Sequence, residues 1–152
     1  MKKPNIKIIL FDTYMSRIKN SVDSKIFQNL YAKYNNIKRD ILDGGDLSCA
    51  MFVSSILFWC KIIGDIHTTV TSTVKDMEKS GWYKIKNKKI GAVLVWEPEE
   101  FSDGLHAHIG FYIGNNQAIS NSSIYKVPKV HHYATSNNRK IIAIYWNKKL
   151  DK

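Results

Sequence analysis

Cys49 stands at the end of Asp43-Gly44-Gly45-Asp46-Leu47-Ser48-Cys49, directly before a solidly apolar run. His108 opens His108-Ile109-Gly110-Phe111-Tyr112-Ile113-Gly114, which reads as one arm of a hairpin. A thiol at a helix entrance and an imidazole on a later strand are the minimum apparatus for cysteine-nucleophile acyl transfer. A free cysteine ionises near pH 8.5, and the unpaired N–H groups of a helix N-terminus favour its thiolate. Either Asp46 or Ser48 can serve as the N-cap, which puts Cys49 in or just before the first turn. The same amides would hold the oxyanion that forms when sulfur attacks a carbonyl. Gly44-Gly45 lets the preceding backbone turn sharply.

Cys60 is the internal control. It falls near the other end of the same helix, in apolar surroundings, and reads as a small buried hydrophobe. Along the strand of His108, Ile109, Phe111 and Ile113 face one way and supply core, whereas His108, Gly110 and Tyr112 face the other. The glycine beside His108 leaves room for another group to approach. His106 shares that face and is the rival base. His131-His132, taken with His106 or His108, invites a zinc reading, but the spacing fits no common site. Neither metal nor cofactor is expected.

These residues need elements to carry them. Ile8, Phe11, Met15 and Ile18 recur at helical spacing. Asp23-Ser24 suggests the cap of a second helix carrying Phe27, Leu30, Tyr31 and Tyr34, which Asn35-Asn36 would end. From Ala50 to Ile63 apolar residues occupy nearly every side, the mark of a helix buried centrally, with Gly64 closing it. Thr73 with Asp76 suggests a capping box for a short helix that stops at Ser80-Gly81. The period then changes to strands at Trp82–Ile85, Ala92–Trp96, Ala107–Ile113, Gln117–Asn121 and Ile141–Trp146. Helices first and strands later imply an α+β fold, an antiparallel sheet packed on the central helix. Trp82, Trp96 and Trp146 are expected in the core or in groove walls.

The chain has 152 residues, which suits one domain over 1–152 with a core that needs no staples. Its 23 Lys and Arg against 13 Asp and Glu give a net charge of +10. That balance points to an acidic partner such as nucleic acid or an anionic cell-wall polymer, or else to a general lysine bias. The turn bearing Lys84, Lys86, Lys88 and Lys89 reads as a solvated loop able to steer an anionic substrate. On one helix the two cysteines would lie about 16 Å apart, too far for a disulfide. Free thiols and no recognisable secretory signal lead to the expectation of a cytoplasmic protein, or one released by another route. No stretch is long enough to span a membrane. Oligomeric state is not legible.

Three segments resemble the NlpC-type cysteine peptidases, papain-like cell-wall hydrolases to which CHAP-type amidases are mechanistically close. Leu47-Ser48-Cys49-Ala50-Met51-Phe52-Val53-Ser54 is similar to their nucleophile segment. Ile90-Gly91-Ala92-Val93-Leu94-Val95-Trp96 is similar to the strand preceding the histidine, with Ala92 where the family usually has Asp. His108-Ile109-Gly110-Phe111-Tyr112-Ile113-Gly114-Asn115-Asn116-Gln117 resembles the His-x-Gly-x-Tyr-x-Gly hairpin closely. The resemblance covers roughly residues 43–122 and implies a papain-like fold, Cys49 as nucleophile and His108 as general base. It further implies hydrolysis, through a thioester, of an amide in a peptide or peptidoglycan fragment.

Two departures stand out. Ser48 replaces the usual Asp before the nucleophile, and the family's third polar residue, usually His, falls at Ser120. Asn121 is chemically the better imidazole orienter. A plain two-residue Asn115-Asn116 loop would put Asn121 opposite Gly110, on the face of His108, whereas one more residue would put Ser120 there. Chemistry favours Asn121, with Ser120 close behind. His131 or His132 could stand in for either. The alternative to an enzyme is a non-catalytic basic binding domain.

Overall fold

The computed structural model describes residues 1–101, 103–134 and 139–152. It is an α+β fold. Helices α1 (Leu10–Asn20), α2 (Cys49–Trp59) and α3 (Val70–Lys79) pack against one face of an antiparallel sheet. A two-stranded hairpin, β1 (Tyr31–Tyr34) and β2 (Ile37–Asp40), precedes α2. The sheet contains β3 (Trp82–Lys84), β4 (Val93–Phe101), β5 (Gly104–Gly114), β6 (Gln117–Asn121), β7 (Pro128–His132) and β8 (Ile141–Asn147). Its order is β3-β8-β4-β5-β6-β7. Among the described residues no helix is long and apolar enough to cross a membrane.

Strand alternation divides the sheet's two faces. Val93, Val95, Ile109, Phe111 and Ile119 join Tyr14 and Ile18 of α1, Phe52 and Ile56 of α2, and Met77 of α3 in the main core. Phe111 is the keystone, meeting Phe52 edge-on at 5.4 Å and Tyr14 at 5.8 Å between ring centroids. Leu94, Trp96 and Ala118 form a smaller cluster on the opposite face, against Tyr112, Tyr133 and Ile141. Trp82, Trp96 and Trp146 are all buried.

Several expected elements differ. The second helix does not form, because the two asparagines expected to end it make a tighter motif. Asn35 and Asn36 take φ of 48° and 63°, the left-handed pair that a two-residue hairpin turn requires and asparagine tolerates. Tyr31 and Tyr34 consequently lie on strands and are exposed. Helix α1 begins at Leu10, leaving Ile8 exposed before it.

Helix α2 stops at Trp59 rather than running to Gly64. Lys61 adopts φ 57°, and the amides of Lys61 and Ile62 bond the carbonyls of Phe58 and Leu57. That is a Schellman closure, built here without glycine. The Thr73/Asp76 box is absent as well, since Thr69 caps α3 by accepting from the Ser72 amide. Asp76 instead receives the Gly64 and Asp65 amides and lies 2.6 Å from His67 Nε2. Strand β7 has no counterpart among the strands the sequence pattern predicts.

Candidate functional site

The nucleophile corner is tied down before the helix starts. Asp40, at the end of β2, accepts from the amides of Leu30, Leu42 and Gly44 and from Asn29 Nδ2. Burial pushes this carboxyl up, but those four bonds prevail and bring it down to about 2. Gly45 then turns with φ 103°, and a methyl group on it would come within 2.5 Å of the Lys126 carbonyl. Asn121 Nδ2 donates to Gly45 O at 2.7 Å. Helix α2 follows, with Ser48 as N-cap.

Ser48 makes no side-chain cap bond, and among the described residues its buried hydroxyl has no partner. The Ser48 side chain therefore does not occupy a first-turn amide. The backbone amides of Ala50, of Ile109 on β5 and of Cys49 itself favour the charged form of the thiol. Burial nevertheless pushes its pKa up, outweighing the amides of Ala50 and Ile109 and the charge of Arg139. The expected lowering by the helix N-terminus is present but does not win. Cys49 keeps partial exposure, whereas Cys60 is buried beside the Arg17 guanidinium, 3.4 Å from its sulfur. Both cysteines are free.

The imidazole sits on the sheet face opposite Ile109 and Phe111. His108 packs on Trp96 at 5.3 Å, and its Nε2 lies 2.8 Å from Ser120 Oγ. Strand register decides this partner. Asn115 and Asn116 do form a two-residue loop, with φ of 51° and 59°. The pairing then slips between Tyr112 and Gly114, so that Ile113 is an extra, bulged residue and Gly110 faces Ser120. The expectation that favoured Asn121 as orienter misses this bulge; Asn121 points to Gly45 instead. Gly110 is small for a visible reason, because a methyl group there would sit 2.7 Å from Ser120 Cβ.

Ser120 also reaches further. Its Oγ lies 2.7 Å from His131 Nε2, and His131 Nδ1 is 2.8 Å from the His132 carbonyl. His131 packs on Trp96 as well, at 5.8 Å between ring centroids. Burial, then the charges of Arg139 and His131, hold His108 down at about 3, so it is neutral at physiological pH. Among the described residues no hydrogen bond joins His108 directly to the Cys49 sulfur. His106 turns away to Asp103 at 2.8 Å and is not part of this group.

Arg139 has no motif to announce it. Its Nη2 donates to the His106 carbonyl at 2.9 Å, and its Nε lies 3.1 Å from Glu99 Oε1, poorly aligned for a hydrogen bond. Its charge acts on both Cys49 and His108. A cavity of about 410 Å³ on the Trp96 side of the sheet is lined by Lys88, Tyr133, Arg139, Lys140, Ile141 and Ile144. Among the described residues no cluster of three or more His, Cys, Asp or Glu could hold a metal. The chain matches no known family model and no curated protein.

Proposed function

We propose that this chain is a papain-like cysteine hydrolase that cleaves an amide through a thioester. One observation carries the reading: Cys49 opens α2, which packs against β5, the strand that bears His108 with its Nε2 already engaged by Ser120. The other ring nitrogen, Nδ1, is then the base.

Sulfur attacks the carbonyl carbon while its proton passes to His108 Nδ1. With the thiol raised and the imidazole depressed, proton transfer accompanies attack instead of preceding it. The carbonyl oxygen becomes anionic and is received by the free amides at the start of α2. Collapse breaks the C–N bond, and His108 returns its proton to the leaving amine. Water then attacks the thioester, giving a proton to His108, and the C–S bond breaks as sulfur recovers a proton.

The resemblance to NlpC-type peptidases makes a peptide bond in peptidoglycan stems, or a fragment of them, the first substrate class to test. Two free thiols suit a reducing compartment such as the cytoplasm. Digestion of peptidoglycan fragments by wild type and Cys49→Ala tests the reading. Product from wild type alone supports it, and product from both proteins refutes the mechanism.

A second reading has its own support. Hairpin β1–β2 exposes Tyr31, Tyr34 and Ile37, and Lys38 and Arg39 lie over the two tyrosine rings. Its single acid, Asp40, is consumed by backbone amides. A basic, aromatic ribbon of this kind suits binding to an anionic polymer without catalysis. Binding that falls steeply with salt and ignores Cys49→Ala would favour it.

A further inference from the structure

We infer that His131 is a positioning residue that, acting through Ser120, fixes the His108 proton on Nε2 and leaves Nδ1 as the free base. The consequence for catalysis rests on the hydrolase reading; the proton arrangement itself does not.

The direction of the chain follows from its far end. The His132 carbonyl can only accept, so His131 Nδ1, 2.8 Å away, carries a hydrogen. Burial holds the His131 pKa below its ordinary value, so the ring is neutral and Nε2 carries a lone pair. That nitrogen accepts the Ser120 hydroxyl proton across 2.7 Å. The hydroxyl has one proton only, and once it is committed Ser120 Oγ can only accept. His108 Nε2, 2.8 Å away, must then be the donor. The His132 carbonyl and the neutral His131 ring together assign every position along the chain.

Serine alone would be a poor orienter, because its hydroxyl rotates and can donate to His108 as readily as accept. Donation would stabilise the opposite tautomer, with the proton on Nδ1 and no base available for sulfur. His131 removes that freedom. Ser120 is buried, which keeps water from competing, and Trp96 packs against both rings. The pair does together what one carboxamide or imidazole would do alone. When His108 takes the thiol proton, Nε2–H still donates to Ser120, so the imidazolium needs no rearrangement of its neighbours.

Histidine-selective ¹⁵N NMR of the intact protein at neutral pH reads the tautomers directly. Wild type is expected to show His108 as the Nε2–H form. His131→Phe, which keeps a ring against Trp96 but removes the acceptor, is expected to move His108 toward a mixture, and His131→Gln to restore the wild-type pattern. Cys49 alkylation should fall about tenfold or more in the Phe variant. A wild-type Nδ1–H form, or an unchanged His108 signature in His131→Phe, overturns the inference. Should His131→Phe fail to fold, the wild-type signature and the loss of it in Ser120→Ala decide the matter. A tautomer shift that leaves Cys49 reactivity and hydrolysis untouched would uphold the proton arrangement and sink the hydrolase reading instead.

Discussion

Gly110 and Ser120 face each other across β5 and β6, so close that a methyl group on Gly110 would lie 2.7 Å from Ser120 Cβ and 2.7 Å from the Ile119 carbonyl. The imidazole partner therefore depends on a residue that has no side chain. Gly110→Ala would force β6 outward and pull Ser120 from His108. A loss of about 1–3 kcal/mol in unfolding free energy is expected from the overpacking. Cys49 alkylation should slow as well, which thermal unfolding and timed labelling of one preparation would show.

Asn121 and Ser120 are adjacent but belong to different machinery. Asn121→Ala removes the 2.7 Å bond to Gly45 O and loosens the nucleophile loop. A cost of about 1 kcal/mol is expected by denaturant melt. The His108 NMR signature should remain wild type. Ser120→Ala should do the reverse, changing that signature while leaving the loop in place.

Stability should depend on His108 in acid. The folded chain keeps this ring neutral down to about 3, while the unfolded chain protonates it near the ordinary imidazole value of 6.5. Below 6.5 the unfolded state binds more protons, so stability falls as pH drops, and the loss continues until about 3. The contribution is up to about 1.4 kcal/mol per pH unit. His108→Gln should flatten the pH dependence of the melting temperature across this window.

Arg139 lowers the pKa of both the thiol and the imidazole. Arg139→Met should therefore raise both. The pH profile of Cys49 alkylation would shift to higher pH, and His108 would protonate at higher pH by NMR. Unmoved profiles would remove Arg139 from the site.

How far these features were legible varies with how local their cause is. Cys49 at the head of an apolar helix and His108 on an alternating strand follow from patterns within about ten residues. The choice between Ser120 and Asn121 hinged on a bulge at Ile113, which alternation alone does not reveal because Ile113 continues the apolar pattern. Asn35-Asn36 reads as a helix end, although two adjacent asparagines suit a left-handed hairpin turn equally well. In sequence His131 reads only as a remote substitute, since its place beside Ser120 needs β7, and Pro128-Lys129-Val130 hides that strand behind a proline. Arg139 is brought in by tertiary folding and carries no signal in spacing or composition.

One experiment addresses directly the meeting of sulfur and ring. 1,3-Dibromoacetone, which bridges two nucleophiles a few ångströms apart, should alkylate Cys49 and close onto His108, giving one Cys49–His108 crosslinked peptide by mass spectrometry. The crosslink should vanish in His108→Ala while Cys60 stays unmodified. Single-ended modification of Cys49 in the wild type, or a bridge to another residue, would mean that the thiol and the imidazole do not share a site.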